Sequence, residues 1–327
     1  MRRIIVILAF VSLLAACGEA ADESPKPGKT EDSEAAVQRS PITGLKMKNG
    51  LPKHPAYVVK IENTNNGEPQ TGLNKADLVV EQLVEGGLTR LAAVYYSKLP
   101  KKIGHVRSMR GTDISIAAPI GARIVASGGA GHVHSQVKKA GIKALTQDHG
   151  AAGFSTDVSN PAPYNQLLNL KALSGKSGKG SVSDNYFHWD TDGDDETSGK
   201  TVKEAKVRFS PKTQTTWVNK KGTWRRTNGH AAPGQDFKAD TLIVVHAPVA
   251  DAGYTDPAGN PVPETHFTGS GKATILQGTD VIKGTWKKKK PSSTVQFTDA
   301  DGDDVPIKPG RVWVEIVPKD DGKVTVN

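Results

Sequence analysis

Short β-branched and aromatic runs, each stopped within a few residues by Gly, Pro, Asn or Asp, set what this chain can fold into. Residues 57–61, 241–246, 273–277 and 311–317 are runs of strand length closed by such breakers. With 34 glycines and 20 prolines among 327 residues, the punctuation suits a turn-rich α+β protein better than a helical bundle. The length allows two domains with cores of their own.

The first residues are an address. Met1-Arg2-Arg3 is a short positive region, and residues 4–14 form an apolar run too short to span a bilayer as a helix. It ends at Leu14-Ala15-Ala16-Cys17, which resembles the lipobox of bacterial lipoproteins. That resemblance implies a diacylated Cys17 as the new N-terminus, and so a chain lipid-anchored to the cell membrane on its extracytoplasmic face. Cys17 is the only cysteine, so no intramolecular disulfide can form. Residues 18–40 contain no large apolar side chain except Val37. They cannot bury enough surface to offset chain entropy and are expected to be a disordered tether.

A first domain is expected over residues 41–195. Two apolar runs, 76–84 and 89–96, flank Glu85-Gly86-Gly87 and read as a β-hairpin. A helix is expected over 107–118, a buried strand over 123–127, and a second helix over 132–140 ending at Gly141, a usual glycine cap position. Strand, glycine turn and helix aim backbone N–H groups at an anion. The candidate ligand residues are therefore Arg90, Arg107, Ser108, Arg110, Ser127, Gly128, Gly129, Gly131 and His132. Arginine offers a planar fork to carboxylate or phosphate. The same arginines could instead pair with Glu62, Glu81 or Glu85 inside the fold.

Several stretches carry a family resemblance. Thr71-Gly72-Leu73, Ala76-Asp77-Leu78-Val79, Val84-Glu85-Gly86-Gly87-Leu88-Thr89-Arg90, Ile103-Gly104-His105-Val106-Arg107-Ser108-Met109-Arg110 and Pro161-Ala162-Pro163-Tyr164-Asn165 resemble the YerB-like bacterial lipoproteins. The likeness spans residues 41–318. It implies an N-terminal α/β region, a separate C-terminal β-rich region and no assigned reaction. It also brings Asn165 among the candidate ligand residues. His105 stands where the family usually has proline, and Tyr164 where it usually has histidine.

A second domain is expected over residues 200–327, with strands at 205–209, 216–219, 223–226, 241–246, 273–277, 279–286, 294–297 and 311–317. The fold class is α+β: an N-terminal α/β domain with a mixed sheet, then a mostly antiparallel β domain. Lys287 to Lys290 read as a solvated hairpin tip, with polyanion contact as the sharper alternative. Two acidic loops, Asp190-Asp192-Asp194 and Asp299-Asp301-Asp303, have calcium-like spacing but lack the glycine and glutamate that an EF-hand needs. His132 and His134, two apart, diverge on a helix. No metal and no cofactor is expected. No nucleophile-elbow pattern surrounds Ser108 or Ser127, so no catalytic residue is assigned.

Net charge is +9, which favours acidic partners. The reading is a membrane-anchored binding or scaffold lipoprotein that recognises an anionic cell-envelope component, polymeric or small, with no specific nucleic acid expected. The alternative is a hydrolase or transferase acting on cell-wall or phosphodiester material, with Glu81 or Glu85 as acid/base and His132 or His134 assisting.

Overall fold

The computed structural model describes residues 38–191, 193 and 201–327. The leader, Cys17 and the tether as far as residue 37 lie outside the described residues, as do Asp192 and Asp194 of the first acidic loop. Ordered chain is already present just before Pro41. Arg39 bridges Lys46, and the Ser40 hydroxyl accepts from the N–H groups of Ile42 and Thr43. Among the described residues no helix is long and apolar enough to cross a membrane.

The architecture is α+β, built on a ten-stranded mixed sheet. Its order is Gln296–Thr298, Asp280–Lys288, Gly269–Gln277, Thr241–Ala247, Val312–Pro318, Leu78–Leu83, Thr89–Tyr95, Tyr57–Glu62, Arg123–Ala126 and Ala144–Thr146. The expected hairpin forms, with Leu83 opposite Thr89. Its link needs glycine, because Gly86 and Gly87 have φ of 68° and 76°. Parallel pairing joins Tyr57–Glu62 to Arg123–Ala126 and then to Ala144–Thr146. It also places Val312–Pro318 between Thr241–Ala247 and Leu78–Leu83. A second sheet, Lys238–Ala239, Thr223–Arg226, Gln214–Lys220, Glu204–Arg208 and Lys323–Val326, is antiparallel throughout.

Both faces of the large sheet are covered, which is why its strands read as unbroken apolar runs. The period of two survives as two separate cores. Val58, Val80, Val94, Ile124, Val245 and Val314 enter one, and Tyr57, Val59, Val79, Ala93, Leu242 and Trp313 the other. Helices α1 (Asp113–Ala117) and α2 (Gly131–Lys139) close the first face with Ile116, Val133 and Val137. Helix α3 (Leu170–Ser177) and the five-stranded sheet close the second. There Trp217 meets Trp313 edge-on at 5.0 Å between centroids. Burial of each such ring contributes on the order of 1.5–3 kcal/mol.

One end of this sheet is polar on both faces. On the second face, Glu81 and Glu315 are direct neighbours on adjacent parallel strands and both are fully buried. Arg226 Nη1 sits 2.9 Å from Glu81 Oε2, and Asn63 and Thr89 donate to Glu81 Oε1. Glu315 Oε1 accepts from Thr215 Oγ1 at 2.7 Å and Trp217 Nε1 at 2.9 Å. Burial, reinforced by the charge of Glu81, pushes the Glu315 carboxyl up to about 8.

Two expectations are corrected. The helix expected over 107–118 is confined to α1, followed by a 3-10 turn Ala118–Ile120 that accommodates Pro119. Upstream, the Arg107 N–H donates to Lys60 O, Met109 N–H to Gly128 O, and Ser127 N–H to Arg107 O. The segment is threaded between the strand Tyr57–Glu62 and the loop after Arg123–Ala126, and these bonds outweigh local helix propensity. The lysine run is a solvated hairpin tip only in part: Lys289 and Lys290 are exposed in the link to the antiparallel strand Gln296–Thr298, but Lys288 is not. Lys287 and Lys288 end the strand Asp280–Lys288, whose alternation turns Trp286 and Lys288 inward and Lys287 outward. The Lys288 ammonium donates to Ser293 O and lies 5.6 Å over the Phe267 ring. Burial lowers its pKa to about 7.

Candidate functional site

Because Tyr57–Glu62, Arg123–Ala126 and Ala144–Thr146 are parallel, the loops that follow them emerge at one end of the sheet. In open sheets of this kind the carboxyl ends of the strands are where ligands bind. Here Ser127-Gly128-Gly129 leads into α2, and the 3-10 turn Gln147–His149 follows Ala144–Thr146. Between them opens a cleft of about 490 Å³. Ser108, Arg110, Ser127, Gly128 and Gly129 line it, with Glu85, Asp148 and the ribbon residues Tyr254 and Asp256. Ala130, at the N-cap of α2, also lines the cleft and offers no side-chain cap, so first-turn N–H groups stand at its edge.

Asp113 sets the position of Arg110. Its carboxylate is fully buried; Oδ1 accepts from Lys60 Nζ at 2.7 Å and Gln82 Nε2 at 3.0 Å. Oδ2 takes the Arg110 N–H at 2.7 Å. Burial lowers the Lys60 pKa to about 8, with Asp113 pulling the other way. The Arg110 guanidinium pairs with Glu85, and its Nη1 donates to Met109 O at 2.8 Å. Arg110 Nε and Glu85 Oε2 have no hydrogen-bond partner among the described residues. The cleft therefore holds one guanidinium already committed to a carboxylate, with the carboxylates of Asp148 and Asp256 also in its wall.

The remaining candidates gather elsewhere. Arg107 Nε pairs with Glu62 Oε2 at 2.7 Å, its Nη1 donates to Pro163 O at 3.0 Å, and its guanidinium lies 4.6 Å over the Tyr164 ring. Arg90 is buried and reaches Ser108 O at 3.4 Å; burial is the largest influence lowering its pKa. Asn165 holds its own loop, accepting from Asp157 N–H and from Gln166 Nε2. Gly131 opens α2, and the exposed His132 meets the cleft residue Tyr254 edge-on at 4.1 Å between centroids. The buried His105 ring bridges Gly67 O and Asp157 Oδ2. Hydrogen bonds from Ser159 first, and then from His105, hold Asp157 down at about 2.

Sequence reading missed Tyr254, Asp256 and Asp148. The first two come from an antiparallel ribbon, Val249–Thr255 with Pro261–Thr265, whose exposed Ala, Asp, Gly and Pro residues give no strand signal. Of the two glutamates considered as acid/base, Glu85 lines the cleft and Glu81 is sealed in the sheet beside Arg226. The second acidic loop is a turn, in which Asp299 Oδ1 accepts from the N–H groups of Asp301, Gly302 and Asp303. A further concavity, of about 440 Å³, gathers Lys75, Lys98, Lys101 and Lys102, and no sequence motif had drawn attention to it.

Comparison with known proteins places this arrangement. The crystal structure of YerB protein from Bacillus subtilis superposes with a TM-score of 0.73 at 20% identity, covering 88% of this chain and 99% of that one. The "Putative lipoprotein YerB" of Bacillus subtilis (strain 168) is 26% identical over 297 residues, 86% of each chain. Residues 42–183 match the N-terminal domain, and residues 205–314 the C-terminal domain, of a protein of unknown function, DUF3048. The chain belongs to the DUF3048 family, of which both domains are present.

Proposed function

We propose that this is a lipid-anchored binding protein of the extracytoplasmic membrane face, whose cleft takes an anionic group of a cell-envelope component. The observation that carries the reading is convergence. Ser108 and Arg110 from one segment meet Ser127, Gly128 and Gly129 from another around one cleft at the N-terminus of α2. Hydroxyls, a guanidinium and helix N–H groups together are an anion's complement. The lipobox at Cys17 and the lipoprotein name of the Bacillus relative support the anchor. The net charge of +9 supports attraction to acidic polymers.

The test is equilibrium binding of the full chain in detergent to labelled wall fragments, teichoic acid and anionic lipid vesicles. Binding should weaken with salt and should be lost in a Ser127→Ala, Arg110→Gln variant that still gives a cooperative melt. No binding to any of the three at low salt sinks the proposal.

A further inference from the structure

We infer that His134, Asp148 and His149 form a site for a divalent transition metal of the zinc class at the wall of the cleft. Helix α2 supplies His134, and the turn Gln147–His149 supplies the other two. One ligand atom from each lies within 4.8 Å of the other two. His134 Nε2 is 3.5 Å from Asp148 Oδ2, and the two imidazole rings stand 4.4 Å apart between centroids. Tetrahedral bonds of about 2.0–2.1 Å to nitrogen and oxygen place neighbouring ligand atoms about 3.3–3.5 Å apart. The first pair already has that spacing, and the third ligand atom lies within 4.8 Å of both.

One observation points to a ligand here, and a second shows how the backbone sets the carboxylate. His134 Nε2 is shielded from solvent and has no hydrogen-bond partner among the described residues. A shielded ring nitrogen 3.5 Å from a carboxylate, with no hydrogen bond between them, is free to ligate an ion that both would share. The second is the fixed place of Asp148. Its N–H donates to Ser127 O at 3.2 Å, and a Cβ added to Gly128 would lie 2.5 Å from its Oδ2. Gly128 thus leaves room for the carboxylate beside the backbone.

Two imidazoles and one carboxylate are the set that binds zinc while leaving a coordination position open. Asp148 also lines the cleft, so a metal held there would stand at the cavity wall. Glu85 is paired with Arg110, and Asp148 and Asp256 remain in the same wall; a bound divalent cation would offset their charge and so favour the anion of the proposed function. His132 is no ligand. The divergence of His132 and His134 holds, and the second histidine comes from the loop fifteen residues further on, at His149.

The site is tested on the untagged, lipid-modified full chain in detergent, stripped with chelator and titrated with Zn²⁺ in chloride buffer by calorimetry. No anionic ligand is added, so the outcome does not depend on the anion reading. One equivalent should bind, Co²⁺ should give the visible band of a four-coordinate site, and Zn²⁺ should raise Tm. His134→Gln, Asp148→Asn and His149→Gln, all at half-exposed or exposed positions, should fold as wild type and each weaken affinity by about tenfold or more. Wild type that binds Zn²⁺ no more tightly than the folded His134→Gln, Asp148→Asn double variant overturns the site.

Discussion

Replacing Glu315 by Gln should stabilise the protein increasingly as the pH rises from about 5 to about 8. Glu315 is fully buried beside Glu81, with Arg226 paired to Glu81. Burial first, and the Glu81 charge second, raise its pKa from 4.5 to about 8. Between those values the folded protein holds a proton that the unfolded chain has released, so unfolding frees a proton and raising the pH favours it. This group alone should remove about 1.4 kcal/mol of stability per pH unit across that window, on the order of 3–5 kcal/mol in all. Gln keeps the carbonyl that accepts from Thr215 and Trp217 and mimics the protonated acid without its titration. Urea denaturation of both proteins at unit steps from pH 5 to pH 9 isolates the effect, because Lys60 and Lys288 titrate identically in each. The curves should nearly coincide at pH 5, diverge in favour of Glu315→Gln as pH rises, and run parallel above pH 8. A difference that does not change with pH, or a variant less stable at pH 9, would refute the protonated carboxyl.

Arg110→Gln should cost about 3–5 kcal/mol in chemical denaturation by leaving the Glu85 carboxylate buried without its partner, and adding Glu85→Gln should restore much of it. A loss under about 1 kcal/mol would show that the pair does not hold the fold. Cys17→Ala should abolish labelling by a palmitate analogue and release the protein from the membrane fraction, since two acyl chains anchor stably where one does not. Equal labelling of both forms would place the anchor elsewhere.

The sheet was largely legible in the sequence because its physics is local. Runs such as residues 57–61 and 311–317 are apolar on both sides of the strand, and Glu85-Gly86-Gly87 can only be a tight link. What was not legible depends on partners distant in the chain. Arg107 to Met109 read as helix because nothing nearby reveals that their N–H groups donate to Lys60 and Gly128. The ribbon carrying Tyr254 and Asp256 scatters its few β-branched residues, Val249, Thr255, Val262 and Thr265, among Ala, Asp, Gly and Pro. Asp148 and His149 sit in a three-residue turn, and only the parallel pairing of Arg123–Ala126 with Ala144–Thr146 brings them to His134. The pairing of Arg107 and Arg110 with glutamates was open as an alternative, and both pairs form, with Glu62 and Glu85.

The strand Val312–Pro318 sits in the middle of the sheet, with Val314 beside Val80 on one side and Ile243 on the other. During synthesis, Leu78–Leu83 emerges early and then waits for a neighbour made long afterwards. Until that neighbour arrives it is a bare, apolar sheet edge, the kind that invites aggregation. Native pairing therefore closes late and at large sequence separation, which makes folding slow. If the chain is exported in extended form to the membrane face proposed above, that delay is an advantage. The two halves of the sheet cannot join until Val312–Pro318, close to the C-terminal end, is available.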